Sequence, residues 1–86
     1  LSKEEAIAFT KRVIEGRVQG KEGRAKDICE RRVGSLMAQG WVASYDGSRW
    51  VVQVTDIYYE STTYYFYEAT RTVEPAERSG LQSCYW

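Results

Sequence analysis

The reactive inventory of this 86-residue chain is two cysteines, Cys29 and Cys84, with twelve acidic side chains, twelve basic ones and no histidine. Without histidine the chain lacks the commonest general base, the commonest zinc ligand and the usual pH switch. A Cys–His nucleophile pair is excluded, and two thiols alone cannot close a structural zinc site. The cysteines keep two open readings. Each can be a small buried hydrophobe, or the two can form a Cys29–Cys84 disulfide, a choice that sequence does not make. The carboxylates Asp46, Asp56, Glu60, Glu68 and Glu74 invite an acid–base reading, Asp56 most of all because it falls in phase with Trp50, Val52 and Val54. No second carboxylate can be placed beside it, so a solvated charge at a strand end is the simpler reading. No catalytic residue, metal ligand or cofactor follows from these residues, and the chain is not expected to be an enzyme.

The one anion-binding arrangement lies in Gly16-Arg17-Val18-Gln19-Gly20-Lys21-Glu22-Gly23 and the residues after it. Backbone amides opening a helix, with Arg17, Lys21, Arg24 and Arg31 around them, could hold a phosphate or act in an anion or nucleic-acid binding domain. The spacing is neither that of a Walker loop nor that of a dinucleotide fingerprint. Asp27 and Glu30 interrupt the basic face of the following helix. The formal net charge is zero, whereas nucleic-acid binders usually carry a basic excess. Nucleic acid is therefore the less favoured partner. No apolar run reaches the roughly 18 residues that a membrane-spanning helix needs. The chain opens on Leu1 rather than Met, as an excised or processed part of a longer protein would, and it is read as one small domain, residues 1–86.

The elements that must position these residues follow from periodicity. Ser2-Lys3-Glu4-Glu5 has the pattern of a capping box, and Ala6, Ile7, Phe9, Val13 and Ile14 form an apolar stripe. A first helix is expected over about residues 3 to 15, stopped by Gly16. A second is expected from about Arg24 to Gln39, with Ala25, Ile28, Cys29, Val33, Leu36 and Met37 on one face and Gly40 closing it. From Trp41 the period becomes two. Trp41–Tyr45 reads as a strand, Asp46-Gly47 as a hairpin turn, Arg49 to about Tyr59 as a second strand, and Glu60-Ser61-Thr62 as a turn. Thr63 to Val73 reads as a third strand ended by Pro75. The fold class is α+β, with two N-terminal helices packed on a three-stranded antiparallel meander. Its core is drawn from Phe9, Val13, Ile28, Val33, Leu36, Trp41, Trp50, Val52, Val54, Tyr64 and Phe66. The end of the chain, Cys84-Tyr85-Trp86, is too apolar for a frayed tail and is expected to pack.

Tyr58, Tyr59, Tyr64, Tyr65 and Tyr67 form the densest aromatic cluster. Alternation puts Tyr64 and Phe66 on the helix side and Tyr65 and Tyr67 on the other. Ile57, Tyr59, Tyr65 and Tyr67 then make an aromatic face for a protein partner or a second copy of the chain, since tyrosine combines rigid contact area with a polar tip. Cross-strand pairing of good strand formers accounts for the same residues without a partner. The third strand, an edge or near-edge candidate, gives self-association a route to a homodimer.

Leu1-Ser2-Lys3-Glu4-Glu5-Ala6-Ile7-Ala8 resembles the start of a PepSY-type domain, Trp50-Val51-Val52-Gln53-Val54 looks like its central strand, and the stretch from Tyr64 to Pro75 is similar to its closing strand. Together these cover about half the chain. The resemblance implies an extracytoplasmic, secreted or cell-envelope module without catalysis of its own, acting on a protein partner such as a peptidase. A Cys29–Cys84 bridge accords with that location, and two free thiols would point to the cytoplasm instead.

Overall fold

The computed structural model describes residues 1–55 and 61–76. It contains α1 (Lys3–Gln19), α2 (Gly23–Met37), β1 (Trp41–Tyr45), β2 (Trp50–Thr55), β3 (Ser61–Tyr67) and β4 (Thr72–Pro75). The strands form one antiparallel sheet in the order β1-β2-β3-β4. The α+β class is as expected, but the sheet has four strands rather than three. Ile57 and Tyr59, with Tyr58, Asp56 and Glu60, and the chain end with Cys84, Tyr85 and Trp86, lie outside the described residues.

The capping box at the start of α1 is present. The Ser2 hydroxyl accepts from the Glu5 amide at 3.1 Å, and a Glu5 carboxylate oxygen accepts from the Ser2 amide at 3.1 Å. Gly16 does not stop α1, which runs one turn further to Gln19. The cause is Val18, which is buried and continues a strict four-residue row of Ala6, Thr10, Ile14 and Val18. The burial gained by Val18 outweighs the roughly 1 kcal/mol that a mid-helix glycine costs. Thr10 hides this row in the sequence because it is polar. Its hydroxyl is satisfied inside the helix by the Ala6 carbonyl at 2.8 Å, so it can be buried at little cost.

α2 starts at Gly23, whose φ of +62° is the left-handed region that favours glycine. It ends at Met37 with Ala38 as its cap, not at Gly40. Its buried residues are Cys29, Val33 and Leu36. Ile28, expected in the core, is instead 46% exposed, because the buried stripe is centred one residue further along. α1 packs across β1, β2 and β3, whereas α2 packs chiefly on α1. α2 is tied to the sheet through Trp41, whose indole N–H donates to the Leu36 carbonyl at 3.1 Å.

Strand alternation produces one buried and one open face. Trp50, Val52, Val54, Tyr64, Phe66 and Val73 point toward the helices and are buried. Phe9 of α1 stacks on Phe66 at 4.7 Å between ring centroids, and Trp41 stacks on Tyr64 at 6.3 Å. Phe9, Val13 and Trp41 are partly buried against this core.

Pro75 ends the last strand as expected: it is the final residue of β4, opposite Tyr64. The Ala76 amide donates to the Thr63 carbonyl, so residue 76 belongs to a hydrogen-bonded pair and residue 75 to a non-bonded one. The proline nitrogen therefore faces the outer edge, where no ladder bond is lost. A turn at residues 68–71, with Arg71 at φ 55°, connects β3 to β4. Ser61 and Thr62, expected in a turn, open β3 instead. β3 is therefore the near-edge strand and not the edge, with β4 outside it.

Candidate functional site

The open face of the sheet carries Val42, Val51, Thr63, Tyr65, Tyr67 and Glu74. The register sets Val51 opposite Tyr65, Gln53 opposite Thr63, and Tyr65 opposite Glu74. Of the four residues expected to bind a partner, Tyr65 and Tyr67 are both on this face and both half-buried; Ile57 and Tyr59 lie outside the described residues.

Arg49 lies against both tyrosines. It immediately precedes β2 and shares the outward phase of Val51. Its guanidinium carbon lies 3.6 Å from the Tyr65 ring centroid and 6.0 Å from that of Tyr67. One of its Nη atoms donates to the Tyr67 hydroxyl at 3.0 Å, and that hydroxyl donates to a Glu74 carboxylate oxygen at 2.8 Å. The Tyr67 hydroxyl holds the Arg49 charge more firmly than usual, raising its already high pKa. At the other end, the Arg49 Nε donates to Asp46 at 3.3 Å. A polar chain Asp46–Arg49–Tyr67–Glu74 thus crosses β2, β3 and β4.

The Asp46-Gly47 turn aims this arginine. The Asp46 amide donates to the Arg49 carbonyl, leaving Gly47 and Ser48 as the loop. Gly47 has φ +102°, a backbone conformation that favours glycine. One Asp46 carboxylate oxygen accepts from the Ser48 and Arg49 amides, each at 3.0 Å. These backbone bonds, with the Ser48 hydroxyl and Arg49 behind them, hold the Asp46 carboxyl below the usual carboxylate range. Asp46 is therefore a turn-former here.

Glu68, like Glu74, has structural partners. Glu68 accepts from the Trp50 indole N–H at 2.6 Å and lies 3.0 Å from the Leu1 amino group. The Trp50 bond is the main reason that its pKa is lowered. Among the described residues no group of three or more His, Cys, Asp or Glu side chains could hold a metal ion. No described helix is long and apolar enough to cross a membrane.

The basic residues are distributed differently. Arg24 and Arg31 line one shallow depression on α2 together with Asp27 and Ile28. Arg17, in the last turn of α1, and Lys21, in the connection, are not among its lining residues. Asp27 sits between the two arginines and offsets their charge. Cys29 is buried on α2, and its only possible partner within the chain, Cys84, lies outside the described residues.

Sequence reasoning found Tyr65 and Tyr67 from alternation but missed Arg49 and Glu74. Arg49 is brought beside them by register, since Trp50 opposite Phe66 places Arg49 opposite Tyr67. No protein-family model matches the chain, no curated protein matches it, and no solved structure matches it.

Proposed function

We propose that this chain is a non-catalytic interaction module that recognises a protein through the open face of its sheet. The observation that carries the reading is Arg49 stacked 3.6 Å over Tyr65 while bonded to Tyr67. Arginine and tyrosine are the residue types that concentrate binding energy at protein interfaces. Holding them in place before contact removes part of the ordering cost, about 0.5–1.5 kcal/mol for each immobilised side chain. Val51 and the exposed Val42 extend the surface with apolar area on neighbouring strands.

An extracytoplasmic or secreted setting, with Cys29 and Cys84 bridged, fits this role and the PepSY-like residues at Leu1–Ala8, Trp50–Val54 and Tyr64–Pro75. A peptidase is the partner class that the resemblance favours. The test is quantitative capture by the immobilised chain. A folded Tyr65→Ser/Tyr67→Ser variant should lose the partner that the wild-type chain retains. Equal capture by both would overturn the reading.

A further inference from the structure

The two edges of the sheet are unlike each other. At β4 the edge is blocked: Pro75 turns a nitrogen without hydrogen outward, Glu74 adds a charge, and the strand is only four residues long. Natural sheets blunt their edges with these devices. Among the described residues nothing pairs with the outer side of β1, Trp41-Val42-Ala43-Ser44-Tyr45. This strand carries no proline and no charge, and Val42 and Tyr45 are 61% and 53% exposed. The Asp46–Arg49 backbone bond fixes the phase of the β1–β2 ladder, so Ser44 and Val42 bond to β2 and the N–H and C=O groups of Trp41, Ala43 and Tyr45 point to the outer edge.

We propose that β1 pairs antiparallel with β1 of a second copy of this chain, joining two four-stranded sheets about a two-fold axis at Ala43. This goes beyond the protein-binding reading, because it uses the sheet edge and not Tyr65 and Tyr67. A two-fold interface must be self-complementary, and β1 is. With Ala43 opposite its own copy, the outward groups of Trp41, Ala43 and Tyr45 meet outward groups of the partner strand, giving about six backbone hydrogen bonds. On the helix side, exposed Tyr45 meets Trp41 of the other copy. On the open side, Val42 meets Ser44. No charge faces a like charge. The blocked β4 edge ends the assembly at two copies, where two open edges would give a filament.

The test is sedimentation of the full chain at high micromolar concentration, with variants at the two outward β1 positions. Val42 and Ser44 are both exposed, so changing them leaves the core intact. Val42→Lys/Ser44→Lys sets lysine opposite lysine across the axis and should weaken dimerisation about tenfold or more. Val42→Glu/Ser44→Glu should do the same. Mixing the two folded variants should restore a dimer, because lysine then faces glutamate. A monomeric wild-type chain would overturn the proposal, including the case in which residues 77–86 cover β1. Failure of the mixed variants to recombine would overturn it as well. Capture by the Tyr65→Ser/Tyr67→Ser variant is a separate readout, so either surface can fail without the other.

Discussion

The Arg49 guanidinium carbon lies 3.6 Å from the centre of the Tyr65 ring, on the face of the sheet that the helices leave open. A cation over an exposed aromatic face stabilises by about 0.5–1 kcal/mol. Here the same arginine also donates to the Tyr67 hydroxyl. Arg49→Ala should therefore destabilise the chain, lowering the midpoint of urea denaturation. It should also increase the mobility of Tyr65 and Tyr67 and weaken partner binding. Arg49→Lys should recover only part of both effects, because an ammonium lacks the planar fork that reaches ring, hydroxyl and Asp46 together.

Acid should weaken the fold through Asp46, Glu68 and Glu5. Each has a folded-state pKa below its ordinary value. Groups of this kind add stability above their unfolded pKa, and that stability is lost as pH falls through the folded pKa. Denaturation midpoints should be flat near neutrality and drop below the ordinary carboxylate range. Asp46→Asn and Glu68→Gln should each flatten the acid limb. An unchanged limb in both variants would mean that these hydrogen bonds do not couple to folding.

The continuation of α1 through Gly16 gives opposite predictions two residues apart. Nothing lies within 4 Å of a Cβ placed on Gly16, so Gly16→Ala should stabilise by about 0.5–1 kcal/mol. Val18 is 2% exposed, and Val18→Ala should cost about 2 kcal/mol. If α1 ended at Gly16, neither change would have an effect of this size. Thermal or urea unfolding distinguishes the cases.

Arg71 holds φ 55° in the β3–β4 turn without being glycine, a conformation that costs about 1–2 kcal/mol in a side chain with a Cβ. Arg71→Gly should relieve much of this and raise the unfolding midpoint. Its guanidinium carbon is 6.0 Å from the Phe9 ring centroid, a weak contact at that range, so its loss should not cancel the gain.

The proposed Cys29–Cys84 bridge predicts that the non-reduced chain, alkylated after denaturation, takes up no alkyl groups and keeps a single-chain mass. Two added groups would instead mean free thiols and remove the support for an extracytoplasmic setting.

The two helices, the first two strands and the alternation of the sheet are legible in the sequence because they rest on local periodicity, whereas the turn at residues 68–71 that divides β3 from β4 carries no glycine or proline to mark it. Tyr64 and Phe66 inward, Tyr65 and Tyr67 outward, follows from period two alone. The errors arose where a tertiary gain overrode a local signal. Gly16 looks like a stop until Val18 is known to be buried. Ile28 and Cys29 are adjacent and both apolar, so one residue of rotation in α2 exchanged a core position for an exposed one. Arg49 was invisible as part of the candidate site because its relation to Tyr65 and Tyr67 is set by cross-strand register rather than by spacing along the chain.

The most direct measurement compares capture by two folded variants of the immobilised chain. One changes the sheet face, Tyr65→Ser/Tyr67→Ser, and the other the helix depression, Arg24→Ser/Arg31→Ser. The account predicts that the sheet variant loses the partner and the helix variant keeps it at wild-type salt dependence. Retention by the sheet variant, with loss by the helix variant, would contradict the account and assign recognition to the basic residues of α2.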